Sequence, residues 1–201
     1  MRIDFSPVRS HDISLYAFSR QISLDDLRQG TNALFDIILD ILRQATDEQV
    51  VFIPHDPDAY DPYAVPGEEH IGWSLAHLVA HTTASLEEGA AHSSILARGI
   101  PYPREPRLRY ETPWRDIRTQ AQAIERLEES RRMCLAFLQT WPNRPHLDVY
   151  RDVSERFMEK YGPQNATAAY LAGLMHMDGH LDQFHEVWRQ AQQSSQAATG
   201  D

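Results

Sequence analysis

Histidines are the side chains of this sequence that are best suited to chemistry, and the chain has ten of them. His176 and His180 stand four residues apart in the segment HMDGH. An α-helix turns about 100° per residue, so these two imidazoles would lie about 40° apart and could bind one metal ion from a single helix face. His185 would lie about 140° around the helix from His180. We therefore predict that His185 lies at the edge of the core or at the surface.

A second pair with the same spacing, His77 and His81, occurs in the segment GWSLAHLVAH. The apolar stripe of this predicted helix is centred near Leu75, Thr82 and Leu86. His81 lies about 110° from that centre and His77 about 150°. We therefore place His81 nearer the interior and expect His77 to be solvated. A histidine-rich helix can contain an HxxxH pair by chance, so the spacing alone leaves open which pair binds metal.

Long segments between the prolines must supply the helices that position these histidines. Proline breaks helices, and four windows without it repeat apolar residues at helical spacing. In the third window Thr112 is the predicted N-cap and Pro113 the first helical residue. The four predicted helices cover about 24–46, 73–98, 112–140 and 166–192.

Four amphipathic helices of this length predict an all-α protein, a four-helix bundle. The connections 47–72, 99–112 and 141–165 are long, and long connections in compact domains are commonly functional. We assign residues 1–201 to one domain with its core at about 20–192. Residues 1–22 receive no assigned structure, and we expect the tail 193–201 to be flexible.

The composition excludes several classes of function. A net charge of −10 and a pI near 5.4 argue against nucleic acid or anionic lipid as a partner, because phosphate binding needs clustered Lys and Arg. The sequence has neither a signal peptide pattern nor an apolar run long enough to span a membrane. Cys134 is the single cysteine, which fits a reducing cytosol, and we expect its thiol to be packed in the core. We expect a cytoplasmic protein with a small-molecule ligand.

Two motifs of this chain resemble the DinB/YfiT superfamily of metal-dependent proteins. One is GWSLAHLVAH, with Trp73 at the helix start and His81 eight residues later, and the other is HMDGHLDQ near the C-terminus. The resemblance covers roughly residues 20–192 and includes four long helices with long connections. It implies that His81, His176 and His180 are the three ligands of one divalent ion, nickel or zinc, at the end of the bundle.

One position departs from the family pattern. Family members often continue the last ligand histidine as HxGQ, whereas His180 is followed here by Leu181, Asp182 and Gln183. The glutamine matches and the glycine does not.

The resemblance also implies a homodimer and several reaction classes. Members include transferases that use small thiols, a maleylpyruvate isomerase and proteins described as hydrolases. We hypothesise a metal-dependent transferase that uses a small thiol, or a hydrolase. The alternative is a non-catalytic metal-binding or stress-response bundle, in which the ion ties two helices together. An open coordination position favours an enzyme, and a fourth protein ligand such as His77 favours the alternative.

The sequence allows two interpretations for several other groups of side chains. Asp178 and Asp182 either orient a ligand imidazole or belong to a solvated helix face. The loop tyrosines either line a pocket or pack against the body, and they are Tyr60, Tyr63, Tyr102 and Tyr110. Met177, Asp178 and Gly179 stand between the paired histidines, where an HExxH motif would place a glutamate base. We therefore favour thiol activation over hydrolysis.

Overall fold

The computed structural model describes residues 1–199, and these residues form an all-α fold, as predicted. The α-helices are α1 (Ser6–Arg9), α2 (Leu15–Ser19), α3 (Leu24–Leu42), α4 (Asp47–Val50), α5 (Leu75–Ala97), α6 (Gln120–Gln139), α7 (Glu155–Tyr161), α8 (Ala166–Gly179) and α9 (Leu181–Thr199). A 3₁₀ turn covers Trp114–Asp116. None of the described helices is long and apolar enough to cross a bilayer.

Side-chain caps set the start of α3, α5 and α6. Ser23 and Ser74 accept hydrogen bonds from backbone amides in the first turns of α3 and α5. The predicted start of the third helix was wrong: α6 begins at Gln120, where Thr119 and Gln122 form a capping box. Pro113 instead precedes the 3₁₀ turn, and the backbone becomes extended again at Ile117. The prediction failed because a Thr-Pro pair can begin a single turn as readily as a long helix.

The predicted fourth helix is two helices, α8 and α9, which meet at His180. The His180 amide donates to the Met177 carbonyl oxygen at 3.1 Å, three residues back, so the last turn of α8 is tighter than an α-helix. The next helix begins at once, because the Phe184 amide donates to the His180 carbonyl oxygen at 2.9 Å. The HxxxH segment therefore ends a helix, and the 40° separation expected for a continuous helix does not apply across His180.

The tail is helical as far as it is described. α9 continues to Thr199, so the expected flexible tail 193–201 begins inside a helix. The prediction for 200 and 201 falls outside the described residues. Residues 1–22, which had no assigned structure, carry the short helices α1 and α2, and Leu15 and Val8 are buried there.

The tightest contact in the core is the crossing of α5 with α8, which meets at two glycines. A Cβ added at Gly89 would lie 2.7 Å from the carbonyl oxygen of Ala169, and one added at Gly173 would lie 2.8 Å from the Cα of Leu86. Both obstacles are backbone atoms, which cannot rotate away. Only glycine at these two positions lets the helices approach this closely.

The N-terminal segment is fastened to the end of α8 by one buried carboxylate. Asp178, whose side chain is 2% exposed, accepts a hydrogen bond from Arg2 Nε at 2.7 Å and one from Arg9 at 2.5 Å. Arg9 also donates to the carbonyl oxygen of Met175. A buried carboxylate is stable only when it is paired, so this pair of arginines holds the N-terminus against the HxxxH segment.

We predict that Gly173→Ala lowers the free energy of unfolding by about 1–3 kcal/mol, because the added methyl forces α5 and α8 apart. Urea denaturation of the purified variants measures this change. Gly179→Ala is the matched control in the same helix, since its Cβ would meet only Arg9 at the ordinary distance of 3.8 Å. Equal stability of Gly173→Ala and Gly179→Ala would contradict the proposed close crossing.

Candidate metal centre

The three histidines that the family resemblance implies as ligands lie together in the structure. His81 comes from the first half of α5, His176 from the last turn of α8, and His180 from the junction of α8 with α9. One ring nitrogen from each lies within 4.8 Å of the other two. The closest pair is His81 Nε2 and His176 Nε2, which are 3.0 Å apart.

These separations and the donor type fit a divalent ion. Two nitrogens that bind one zinc ion at about 2.0–2.1 Å lie roughly 3.3 Å apart in a tetrahedral arrangement, close to the observed 3.0 Å. Imidazole nitrogen suits zinc, nickel, copper and iron better than calcium or magnesium. The cluster contains no carboxylate ligand, so its three imidazoles would leave the double charge of an ion unbalanced.

Two imidazoles of this cluster, those of His176 and His180, are held in a protonation state that suits metal binding. Burial, together with the neighbouring His180 and His81, lowers the pKa of His176 to about 3. Burial also lowers the pKa of His180. Both rings are therefore neutral at pH 7, as a metal ligand must be.

Trp73 forms one wall of the cluster. Its ring centroid lies 4.5 Å from that of His81 and 5.8 Å from that of His180. The position of Trp73 just before α5 therefore has a direct structural role: the indole limits how far two of the candidate ligands can turn.

His77 and His81 have different surroundings in the structure. His77 is stacked between Trp73, at 4.4 Å, and Trp114, at 5.0 Å, so its ring is held between two indoles. Our expectation that His77 is solvated was wrong, and burial lowers its pKa to about 4. It does not belong to the three-histidine cluster. His185 is exposed on α9, as the helical angle predicted.

Gln183 fixes the orientation of one candidate ligand. His180 Nδ1 lies 2.8 Å from Gln183 Oε1, and since an amide oxygen can only accept, Nδ1 carries the proton. His180 Nε2 is then the nitrogen with a free lone pair. Gln183 is the residue that matches the glutamine of the family pattern, and this contact gives that match a physical reason. The non-matching Asp182 is exposed and leaves the contact intact.

Glu111 and Arg109 flank the other side of the cluster at His81. Glu111 Oε2 lies 3.6 Å from His81 Nδ1, and Arg109 pairs with the same carboxylate and approaches His81 Nδ1 at 3.2 Å. Burial raises the pKa of Glu111, but its hydrogen bonds with His81 and Arg109 outweigh burial and bring it to about 2. Glu111 is thus an ionised carboxylate, and it neutralises the Arg109 guanidinium beside His81.

Sequence reasoning missed these two residues, although a signal was present. Arg107, Arg109 and Glu111 alternate with Leu108 and Tyr110, which are exposed. Side chains that alternate between buried contacts and solvent are typical of an extended segment that packs one face against the rest of the protein. The segment runs antiparallel to α5, and its inward side chains meet Glu88, Ser85 and His81 in turn.

The two aspartates near the motif do not orient an imidazole among the contacts described. Asp178 is buried and ion-paired with Arg2 and Arg9, so it is not part of a solvated face. Asp182 is exposed, in agreement with the solvated reading. Cys134 is buried as predicted, and burial raises the pKa of its thiol to about 12, so it is not a reactive thiol.

A large cavity opens beside the cluster. Its volume is about 740 Å³, and His81 and His176 lie in its wall together with the indole of Trp73. Of the loop tyrosines, Tyr63 lines this cavity and Tyr102 packs against His92 with 4.9 Å between the ring centroids. A shallower cavity of about 450 Å³ lies on the other side, and both His176 and His180 line it.

Comparison with known proteins identifies one family. The family model of the DinB superfamily matches residues 24–184, a range that contains all three candidate ligands. Searches of curated proteins and of solved structures give no match.

We predict that His81→Ala, His176→Ala and His180→Ala each lower zinc or nickel affinity by roughly 100-fold or more, because each removes one of three ligands. Isothermal titration of the chelator-treated protein with either ion measures the loss. His185→Ala and His77→Phe are the matched controls, and phenylalanine keeps the stacking between the two tryptophans. Loss of metal in His77→Phe with retention in His81→Ala would contradict the ligand set.

Proposed function

The chain belongs to the DinB superfamily, and on this premise we propose that it is a metal-dependent transferase that uses a small thiol. His81, His176 and His180 would hold one divalent ion, nickel or zinc. The observation that carries the proposal is the convergence of three imidazoles, without a carboxylate ligand, two of which (His81 and His176) lie in the wall of a large cavity. Three protein ligands beside open space are typical of a catalytic rather than a structural metal site.

A bound ion would supply a Lewis acid that lowers the pKa of a thiol or of water. The protein side chains would position the groups around the ion. Trp73 would limit the movement of the His81 and His180 rings, while Gln183 would keep the His180 ring oriented. In the reaction the thiol proton would pass to solvent water, the sulfur would bond to an electrophilic carbon, and the leaving group would depart with the electron pair of its former bond to that carbon.

Two features favour a thiol over water as the nucleophile. Hydrolysis generally needs a base close to the attacking water. Asp178, which stands within the motif, is paired with two arginines, and the Glu111 carboxylate is paired with Arg109 and lies beside His81. Both carboxylates are therefore already engaged. A hydrolase acting on a small molecule remains the second form of the proposal.

The two cavities support a reaction between two substrates. His176 lines both of them, as do Phe157 and Ala172, so the candidate metal centre borders both cavities. A thiol and an electrophile could then reach the ion from different sides. Hydrolysis would need only one cavity for an organic substrate.

The alternative is a non-catalytic metal-binding or stress-response protein. That function would be favoured by a fourth protein ligand that closes the coordination shell. His77 is the nearest candidate in sequence, and its ring is stacked between Trp73 and Trp114. This position of His77 favours the enzyme over a non-catalytic protein with a closed coordination shell.

We further propose a homodimer in a reducing cytosol. The family resemblance motivates the dimer, and the single buried cysteine fits a reducing cytosol. Sedimentation velocity of the metal-loaded protein at micromolar concentration should give about twice the chain mass of 23.1 kDa. A monomer would remove this proposal and leave the metal centre unaffected.

We expect metal-dependent conjugation when the zinc- or nickel-loaded protein receives small thiols and a chromogenic aryl halide. Suitable thiols are cysteine, N-acetylcysteine and glutathione. His180→Ala should lower kcat/KM by roughly 100-fold or more, because loss of the ion removes several kcal/mol of charge stabilisation. His185→Ala, a histidine on the exposed face of α9, should retain activity.

A parallel panel of ester, amide and phosphoester substrates separates the reaction classes. Metal-dependent hydrolysis that is lost in His180→Ala, without thiol transfer, would replace the transferase by the hydrolase. Metal binding without turnover in either panel would favour the non-catalytic protein.

A further inference from the structure

The larger cavity extends well beyond the metal centre along α5. His81, Ser85, Glu88 and His92 line it at spacings of four, three and four residues, which place them on one face of the helix. From His81 to His92 this face rises by about 16 Å at 1.5 Å per residue. Small residues of α8, among them Ala169 and Gly173, also line the cavity. The cavity is therefore long, with polar groups along one side.

Arginines are concentrated in this cavity, although the protein as a whole carries a net charge of −10. Three of the cavity arginines are neutralised by a carboxylate of the protein. Arg107 pairs with Glu88, Arg109 with Glu111 and Arg115 with Glu68. Such pairs leave little net charge for a ligand.

Arg151 differs from these three. Its guanidinium donates to Gln164 Oε1 at 3.3 Å and to the carbonyl oxygen of Arg104 at 3.1 Å, both neutral acceptors. Its Nε is buried and has no hydrogen-bond partner. Within the described part of the chain, no carboxylate oxygen lies at ion-pair distance from Arg151. Burial lowers the pKa of Arg151, the direction expected for a cation partly removed from water.

His92 provides a second unsatisfied group at the same end of the cavity. Its residue is 2% exposed, and its Nε2 is buried without a hydrogen-bond partner. Burial lowers its pKa to about 4, with Arg151 as the next cause, so the ring is neutral at pH 7. An unpaired buried polar atom costs about 1–3 kcal/mol, and a ligand that hydrogen-bonds to it would recover this energy.

We propose that the Arg151–His92 end of the cavity binds the carboxylate of an elongated substrate whose reactive group reaches the metal centre. A planar guanidinium matches the two oxygens of a carboxylate, and a neutral imidazole can donate a further hydrogen bond. The assignment of the reactive end rests on the proposed function. Carboxylate binding itself does not depend on it.

The charge balance favours a carboxylate over a phosphate. Arg151 contributes one unpaired positive charge, whereas Arg107 is already used by the buried Glu88, which accepts from the Arg107 side chain and from the Leu108 amide. A singly charged carboxylate would be neutralised there. A doubly charged phosphate would keep one negative charge close to Glu88.

Binding of hexanoate to the full-length protein, measured by titration calorimetry, tests the proposal without any reaction. Hexan-1-ol is the uncharged probe of the same chain length, and hexyl phosphate is the probe with the other anion. We expect hexanoate to bind more tightly than both. Arg151→Gln should weaken hexanoate binding by at least about tenfold, because glutamine keeps a hydrogen-bond donor and removes the charge.

Arg115→Gln is the matched control, since it removes the same charge from the same cavity at a residue already paired with Glu68. It should bind hexanoate as the unaltered protein does. Titrations with and without added zinc separate this site from direct binding to the ion: the Arg151 effect should be present in both. Loss of catalysis with retained hexanoate binding would contradict only the proposed function.

The unaltered protein offers a readout that does not depend on a variant folding. The imidazole ¹⁵N resonances of His92 should shift on addition of hexanoate and stay unchanged with hexan-1-ol. The proposal is overturned if hexanoate does not bind, if it binds no better than the alcohol, or if Arg151→Gln binds it normally. Tighter binding of hexyl phosphate would replace carboxylate by phosphate as the recognised group.

Discussion

The close crossing of α5 and α8 at Gly89 and Gly173 is the constraint on which the site depends. Backbone atoms of each helix occupy the space that a Cβ of the other would need. One helix turn beyond Gly173, and two before Gly89, this approach brings His176 and His81 to an Nε2 separation of 3.0 Å. Small residues on α8 also leave room for a cavity where larger side chains would fill it. The same close packing therefore brings two of the candidate ligands together beside a cavity.

The position of the third candidate ligand, His180, depends on the break between α8 and α9. His180 lies at the junction, as the C-cap of α8 and the residue just before α9. Such a junction would be mobile if nothing held it. Asp178, two residues earlier, is fixed by Arg2 and Arg9, and Gln183, three residues later, holds the His180 ring. Contacts on both sides of the break thus replace the rigidity that a continuous helix would have provided.

Helical periodicity and proline positions were sufficient to predict an all-α fold and the approximate ranges of α3 and α5, because both helices are amphipathic or well capped. The break at His180 was not predictable from periodicity, since apolar residues continue through it at helical spacing. His77 was misplaced for a related reason. Helical angles describe burial against other helices, whereas His77 is buried by Trp114, which comes from a loop. The ligand set itself came from the family resemblance, and the spacing alone left it open.

The extended segment 105–111 determines which polar side chains of the cavity are free to bind a ligand. α5 supplies a row of polar side chains, but Arg107 and Arg109 determine which of them remain unpaired. Glu88 is neutralised by this segment, while His92, one turn further along the same face, is left without a partner at Nε2. The two ends of this face of α5 therefore suit different ligands. The His81 end is built from groups that suit a metal ion, and the His92 end is built from groups that suit an anion, so a change in loop sequence could alter substrate choice without touching the candidate ligands.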